Sequence, residues 1–210
     1  MSTTFAALSA APLAVGWAAH TLVWRRRIEA ARRDPVTGLP GRAVFEVQAP
    51  RLLAAGTAVL VIDLDGFKAL NDRHGHAAGD AALAFAARSL ATAATLMDGC
   101  AARLGGDEFA LAAPLLHPDD LPYELSNLHE RICAPFDFDG RRVSVGASIG
   151  AVLVETGPVP PLGRLMRRAD EAMYAAKQAG GGWAISTSGG PALPTVNGRR
   201  AGRQGAEVTR

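Results

Sequence analysis

The feature that most constrains the fold is a run of five apolar residues, AVLVI at 58–62, that leads directly into Asp63 and Asp65. An apolar run without alternation is typical of a central strand that is covered on both faces. Carboxylates are costly to remove from water, so carboxylates at the end of a buried strand require compensating interactions. The sequence therefore predicts a covered sheet with a polar edge where this strand ends.

The sequence between residues 33 and 186 supplies the other elements of the predicted domain. The order of the elements is β-α-β-β-α-β with one additional helix in front, which indicates an α+β fold with helices flanking a mainly antiparallel central sheet. The predicted helices cover about 41–55, 77–97, 118–133 and 162–179. Besides 58–62, the predicted strands are one that ends at Leu104 and three over 108–113, 142–154 and 183–186.

The N-terminal region differs from this domain. Residues 5–24 carry no formal charge apart from that of His20, and arginines follow at 25–27 and 32–33. Twenty helical residues span about 30 Å, which matches the core of a bilayer. The positive-inside rule then places the N-terminus outside and the rest of the chain in the cytoplasm. The sequence predicts that residues 1–32 are a single-pass anchor in the cytoplasmic membrane; the alternative is a soluble cytoplasmic protein whose helix packs on a partner.

Composition narrows the remaining choices. Hydrophobic residues make up 49% of the chain and charged residues 20%, so a packed core is expected. The net charge of +2 is too small to indicate a nucleic-acid partner. Cys100 and Cys133 allow one disulfide, but their apolar surroundings favour buried free thiols. Residues 187–210 are rich in Gly, Pro and Arg, and we expect them to form a disordered tail.

A second polar feature is the stretch RLGGDEFAL at 103–111, in which a Gly-Gly turn between two apolar segments carries Asp107 and Glu108. If the 58–62 strand lies beside this hairpin, Asp63 and Asp107 meet at one edge of the sheet. Neighbouring carboxylates repel unless a proton or a cation lies between them, and hard oxygen ligands suit Mg²⁺. The plainer alternative is that Asp63 caps the next helix and Asp107 fills a turn; the glycines beside both favour the cation site.

The five residues 105–109, GGDEF, resemble the signature of the GGDEF domain, the diguanylate cyclase family. Three other segments resemble further blocks of that family in the same order, and the match covers about residues 33–186. The resemblance implies a nucleotide-cyclase fold, similar to the palm of polymerases. The three segments are DPVTGLPGR at 34–42, DLDGFKALNDRHGHAAGD at 63–80 and RADEAMYAAKQAG at 168–180.

The resemblance also implies a site and a reaction. Two GTP molecules would be joined into cyclic di-GMP with release of two pyrophosphates, and a homodimer is required because one domain holds one GTP. The alternatives are a weak or inactive module that binds GTP or a protein partner, and an enzyme with another nucleotide preference. The cofactor would be Mg²⁺ or Mn²⁺.

Each implied role falls on a position that matches the family's motifs. Asp107 and Lys68 are the implied catalytic residues. The signature residues are Gly105, Gly106, Asp107, Glu108 and Phe109. The implied metal ligands are Asp63, the carbonyl of Leu64, Asp107 and Glu108. The implied substrate-binding residues are Gly66, Phe67, Lys68, Asn71, His76, Asp80 and Lys177.

The sequence departs from the family's pattern at three places. Gly41 precedes Arg42 where the family usually has Asn-Arg. Gly181 stands where the family often has a phosphate-facing arginine, and this departure implies weaker GTP binding. Leu96 and Gly99 occupy the positions of the R-x-x-D inhibitory site, so product feedback there is not expected.

Overall fold

The computed structural model describes residues 33–186, the single residues Trp17, His20 and Trp24, and the pairs 195–196 and 199–200. The helices are α1 (Arg42–Gln48), α2 (Phe67–His74), α3 (His76–Leu96), α4 (Leu121–Cys133) and α5 (Leu162–Gln178). The strands of the domain are β1 (Thr57–Asp65), β2 (Cys100–Gly105), β3 (Glu108–Pro114), β4 (Phe136–Phe138), β5 (Arg141–Val143), β6 (Gly146–Leu153) and β7 (Gly182–Ile185). Short 3₁₀ turns cover 49–51 and 118–120.

The main sheet has five strands in the order β2-β3-β1-β6-β7. β1 pairs antiparallel with β3 and with β6, and β2 pairs antiparallel with β3. β7 pairs parallel with β6, so the sheet is mixed. The predicted α+β fold is therefore confirmed, with one parallel pairing at the β7 edge. The strands β4 and β5 form a separate hairpin.

The central strand β1 explains the uninterrupted apolar run. Its residues 57–64 are all buried. Leu60 and Ile62 belong to one core cluster, which includes residues of α3 and α4. Val59 and Val61 belong to a second cluster, which includes residues of α1 and α5. Because successive side chains of a strand point to opposite faces, both faces of β1 need apolar residues.

A close approach of α5 to the sheet depends on Gly150 in β6. A Cβ atom at this position would lie 2.0 Å from the carbonyl oxygen of Ala169 and 2.1 Å from the amide nitrogen of Met173. Both atoms belong to the backbone of α5, which cannot yield as a flexible side chain does. The missing side chain therefore lets α5 lie directly on the sheet. The last turn of this helix carries Lys177.

The structure differs from the sequence prediction at three places. The predicted helix 41–55 is shorter, because α1 ends at Gln48 and a 3₁₀ turn follows at 49–51. The predicted strand 142–154 is two strands, because β5 pairs with β4 in the separate hairpin whereas β6 enters the main sheet. Helix α2 was not predicted; Gly75, with φ +84°, divides it from α3. The predicted free thiols are found, since Cys100 and Cys133 are half-buried and unbridged. Burial raises the pKa of the Cys100 thiol to about 11.

The predictions for the two ends of the chain fall mainly on residues that the structure does not describe. The predicted membrane segment 5–24 includes only three described residues, and the predicted tail 187–210 includes only four. Within the parts of the chain that the structure covers, no helix combines the length and apolar character needed for a membrane crossing.

The contact at Gly150 leads to a stability prediction. We expect Gly150→Ala to lower the free energy of unfolding by about 3 kcal/mol, because the added methyl group meets the α5 backbone. The matched control is Gly163→Ala in α5, where a Cβ would meet nothing within 4 Å. We expect this control to leave stability unchanged or raise it by up to about 1 kcal/mol. Urea denaturation measures both; equal stabilities for the two variants would contradict the close approach.

Candidate active site

The structure brings the two polar features of the sequence together at one edge of the main sheet. Asp63, near the end of β1, is the register partner of Glu108 at the start of β3. The amide of Leu64 donates a hydrogen bond to the carbonyl oxygen of Asp107, with N and O 3.2 Å apart. The predicted meeting of the strand end and the hairpin turn is therefore confirmed by the β1–β3 pairing.

Register also defines the face on which these side chains lie. Asp63 is paired with Glu108 on one side and with Ser148 of β6 on the other. Residues directly opposite each other in antiparallel strands project to the same face. Asp63 and Asp65 continue the alternation of Val59 and Val61, so they lie on the α5 side of the sheet. The site is thus a row of polar residues at the end of the α5-facing core.

The buried Asp63 carboxylate receives its counter-charge from α5. Asp63 is only 3% exposed, and the ammonium group of Lys177 donates a hydrogen bond to its Oδ1. The same Nζ lies 3.8 Å from Oδ1 of Asp65. A buried carboxylate is costly without positive charge nearby, so the contact with Lys177 helps to stabilise Asp63.

Asp65 is a site residue that the sequence reasoning did not assign. The buried hydroxyl of Ser148 lies 2.9 Å from both Oδ1 and Oδ2 of Asp65 and donates to this carboxylate. Asp65 therefore holds a fixed orientation beside Asp63 and shares Lys177 with it. The signal in the sequence was the D-x-D spacing, because residues two apart on a strand project to one face.

The turn after β1 provides backbone donors. Gly66 has φ +70° and ψ +14°, a left-handed conformation that suits glycine, and it directly precedes α2. The first amide groups of a helix have no partner within the helix and attract anions. Phe67 is the first residue of α2, and Lys68 follows it with an exposed side chain. The predicted phosphate-binding residues 66–68 therefore occupy a helix start next to Asp65.

The predicted base-binding residues lie on two packed helices. Asn71 of α2 packs against Gly79 of α3, where a Cβ atom would lie 1.9 Å from the amide oxygen of Asn71. This Oδ1 atom is buried and has no hydrogen-bond partner. A buried acceptor without a partner is costly, so its presence is typical of a ligand-binding position. His76 and Asp80 lie on α3 and are exposed.

Arg103 holds the signature turn in place. Its Nη1 donates to both carboxylate oxygens of Asp34 at 2.9 Å, and its Nη2 and Nε donate to the carbonyl oxygen of Gly106 at 2.6 and 3.0 Å. Asp34 also accepts hydrogen bonds from the amide and hydroxyl of Thr37. The opening turn at 34–40 is therefore joined to the turn that carries Asp107. The sequence reasoning singled out both segments but not the ion pair between them.

The donor atoms at the sheet edge fit a small divalent cation. Asp63, Asp107 and the Leu64 carbonyl offer only hard oxygen atoms, and the position of Lys177 shows that the site attracts positive charge. Within residues 33–186, no group of three or more His, Cys, Asp or Glu side chains is placed to hold a metal. Mg²⁺ is commonly held by one or two carboxylates together with substrate phosphates, so Asp63, Asp107 and the Leu64 carbonyl would be sufficient ligands.

Comparison with known proteins agrees with this geometry. Residues 31–182 match the family described as diguanylate cyclase, GGDEF domain. Because the match covers more than half of the 210 residues, the chain belongs to the GGDEF-domain diguanylate cyclase family. The resemblance noted in the sequence is therefore confirmed.

Similar proteins include characterised and uncharacterised members. An uncharacterised 19.3 kDa protein of Streptomyces ambofaciens is 45% identical over 78% of this chain and 87% of its own length. The diguanylate cyclase TpbB of Pseudomonas aeruginosa is 41% identical over 70% of this chain but only 35% of its own length. A solved structure of TpbB comprising only the GGDEF domain has 37% identity and a TM-score of 0.68, covering 74% of this chain and 94% of that one.

The Asp34–Arg103 pair leads to a prediction about pH. Burial works to raise the pKa of Asp34, but hydrogen bonds from Thr37 and Arg103 outweigh it and hold this pKa below its ordinary value. The pair therefore stabilises the fold above the unfolded-state pKa of about 3.9, and the effect is lost as the pH falls through the lower folded-state value. We expect Asp34→Asn to lower the free energy of unfolding by about 1–3 kcal/mol at pH 7.

The measurement is urea denaturation of the wild type and Asp34→Asn at pH values from 7 down to about 3. The difference between them should shrink below about pH 4, because protonated Asp34 and asparagine are both neutral. Glu46→Gln, an exposed change on α1, is the control. A difference that stays constant down to pH 3 would rule out a stabilising role for the charge of Asp34.

Proposed function

We propose that this protein is a diguanylate cyclase that condenses two GTP molecules into cyclic di-GMP and two pyrophosphates. The observation that supports this most strongly is the arrangement at the end of β1. There the buried Asp63 lies beside the signature turn, next to a helix start at Gly66 and within reach of Lys177. This edge brings together in space cation ligands, backbone amides that can bind phosphate oxygens, and an ammonium group.

Each residue has a role in the proposed reaction. A divalent cation, Mg²⁺ or Mn²⁺, held by Asp63, the Leu64 carbonyl and Asp107, would neutralise charge on the phosphates. The amides at 66–67 and the ammonium group of Lys68 would donate hydrogen bonds to phosphate oxygens. Glu108 shares the face of Asp63 and supports the same cation. The 3′ oxygen of one GTP bonds to the α-phosphorus of the other while the bond to pyrophosphate breaks, and Asp107 accepts the hydroxyl proton directly or through water.

Lys177 changes partner in this proposal. In the structure its ammonium group neutralises Asp63. When a cation satisfies Asp63 instead, the ammonium can turn to the phosphate oxygens, because its side chain is 40% exposed and flexible. Lys177 would therefore neutralise Asp63 before a cation binds and contribute to nucleotide binding afterwards.

Base recognition rests on the two packed helices. The Oδ1 atom of Asn71 is buried and unpaired, and guanine carries N–H donors that can satisfy it. Asp80 accepts further N–H groups of guanine, and His76 lies beside it. A site built to hydrogen-bond one base discriminates against bases that leave its polar groups unpaired, so we propose a preference for GTP over ATP.

Product feedback is not part of the proposal. Leu96, at the first position of the expected inhibitory motif, is 73% exposed and uncharged. Gly99, at the last position, lies so close to β3 that a Cβ would be 2.5 Å from the carbonyl oxygen of Ala112. An aspartate at residue 99 would require the backbone to move, so the local packing disfavours that motif.

The central test is synthesis of cyclic di-GMP from GTP with Mg²⁺, with ATP as the control nucleotide. We expect Asp107→Asn to lower the rate by at least about 100-fold, because it removes charge and a proton acceptor while keeping the shape of the side chain. Asp119→Asn, an exposed change in the 118–120 turn, should leave the rate unchanged. GTP binding without turnover in the wild type would instead favour the alternative of an inactive GTP-binding module.

The proposed reaction also requires a homodimer, because each domain presents one nucleotide site and two nucleotides react with each other. We expect the initial rate per domain to fall on dilution of a chain that lacks residues 1–32, and a fused leucine zipper to restore it. The membrane-anchoring role of residues 1–32 stays a prediction from the sequence. A rate per domain that stays constant while light scattering reports monomers would contradict the two-site reaction.

A further inference from the structure

A cleft of about 390 Å³ opens next to the proposed phosphate site, on α2 and the segment that joins β5 to β6. Gly66 lies in its wall, and so do Arg73, His74, Arg142 and Ser144. The volume lies within the range of small-molecule sites in proteins. Of the site residues assigned above, Gly66 is the one that lines this cleft.

The charge of the cleft is one-sided. Two guanidinium groups, one imidazole and one hydroxyl line it, and no carboxylate does. Arg73 comes from α2 and Arg142 from β5, so the two positive groups stand on different elements. Among the ion pairs found in residues 33–186, none involves either arginine. The nearest acidic neighbour by register is Asp137, which pairs with Arg142 across the β4–β5 hairpin but does not line the cleft.

The cleft is continuous with the start of α2. Gly66, the residue before α2, lines one end of the cleft, and Arg73 lies seven residues further along, or roughly 10 Å at 1.5 Å per residue. One phosphate group is shorter than the distance between Gly66 and Arg73. A chain of two or more linked phosphates covers more of this distance. Arginine binds phosphate oxygens through two parallel hydrogen bonds, and helix starts attract the same oxygens.

We propose that this cleft binds an oligophosphate anion, either released pyrophosphate or the terminal phosphates of bound GTP, through Arg73 and Arg142. The identity of these two ligands rests on the proposed cyclase function; the anion preference rests on the cleft itself. The proposal also accounts for the missing arginine at residue 181. A Cβ atom at Gly181 would lie 3.2 Å from Oδ2 of Asp65. Since residue 181 is glycine, Lys177 is the positive group that contacts the Asp63 carboxylate from this end of α5. Arg73 and Arg142 would supply positive charge from the cleft that Gly66 also lines.

The test is isothermal titration of the full chain with inorganic pyrophosphate in the absence of divalent cations, followed by GTP and orthophosphate. We expect Arg73→Gln with Arg142→Gln to weaken pyrophosphate binding by roughly tenfold or more, since each charged hydrogen bond lost is worth about that factor. Arg141→Gln is the matched control, because Arg141 is the exposed neighbour of Arg142 on β5 but does not line the cleft. Thermal melting verifies that all variants are folded.

Steady-state assays distinguish the two sources of the anion. If the cleft receives pyrophosphate, the double variant raises the inhibition constant of pyrophosphate and leaves KM for GTP unchanged; if it receives the terminal phosphates of GTP, KM rises. Both results support the proposal. The cleft proposal is overturned if the folded double variant binds pyrophosphate as tightly as the wild type and only Lys68→Ala loses binding. Continued synthesis of cyclic di-GMP would then show that the cyclase function stands without the cleft. Weaker pyrophosphate binding in the double variant of a chain that makes no cyclic di-GMP supports the cleft and rejects the cyclase function.

Discussion

The ion pair between Lys177 and the buried Asp63 is the interaction on which the site depends. A carboxylate that is 3% exposed at the end of a central strand needs a cation close by, and α5 delivers one. The position of α5 in turn depends on Gly150, which lets the helix backbone lie directly on β6. Packing of the core and chemistry at the sheet edge are therefore linked, because a shift of α5 would both open the core and move Lys177 away from Asp63.

Several independent contacts fix the rest of the site before any ligand arrives. Ser148 orients Asp65 from β6, and Arg103 joins the signature turn to Asp34 in the opening turn. These partners come from different elements, so no single loop determines the geometry. Rigid support of this kind is what a site needs if positioning and electrostatics supply most of the rate. The flexible side chains, Lys68 and Lys177, are those that we propose bind the phosphates.

Positive charge around the helix start at Gly66 comes from two directions. Lys177 approaches from α5, and the cleft brings Arg73 and Arg142 from α2 and β5. This distribution gives physical meaning to the departure at Gly181, where a family arginine is absent and the backbone instead approaches Asp65. In the proposal, Arg73 and Arg142 would offset the absent arginine with positive charge from the cleft. Under the proposal, linked phosphates would bind in the cleft beside the nucleotide site.

The sequence by itself determined the central strand, the signature turn, the α+β class and the residue types at the sheet edge, because apolar runs, Gly-Gly turns and D-x-D spacing act over a few neighbouring residues. It missed α2 as a separate helix and the break between β5 and β6, since both depend on which neighbour a short segment packs against. Only the tertiary structure decided the pairs Arg103–Asp34, Ser148–Asp65 and Lys177–Asp63, whose partners lie 69, 83 and 114 residues apart. Such contacts leave no local pattern, because the order of strands and the path of α5 bring their partners together.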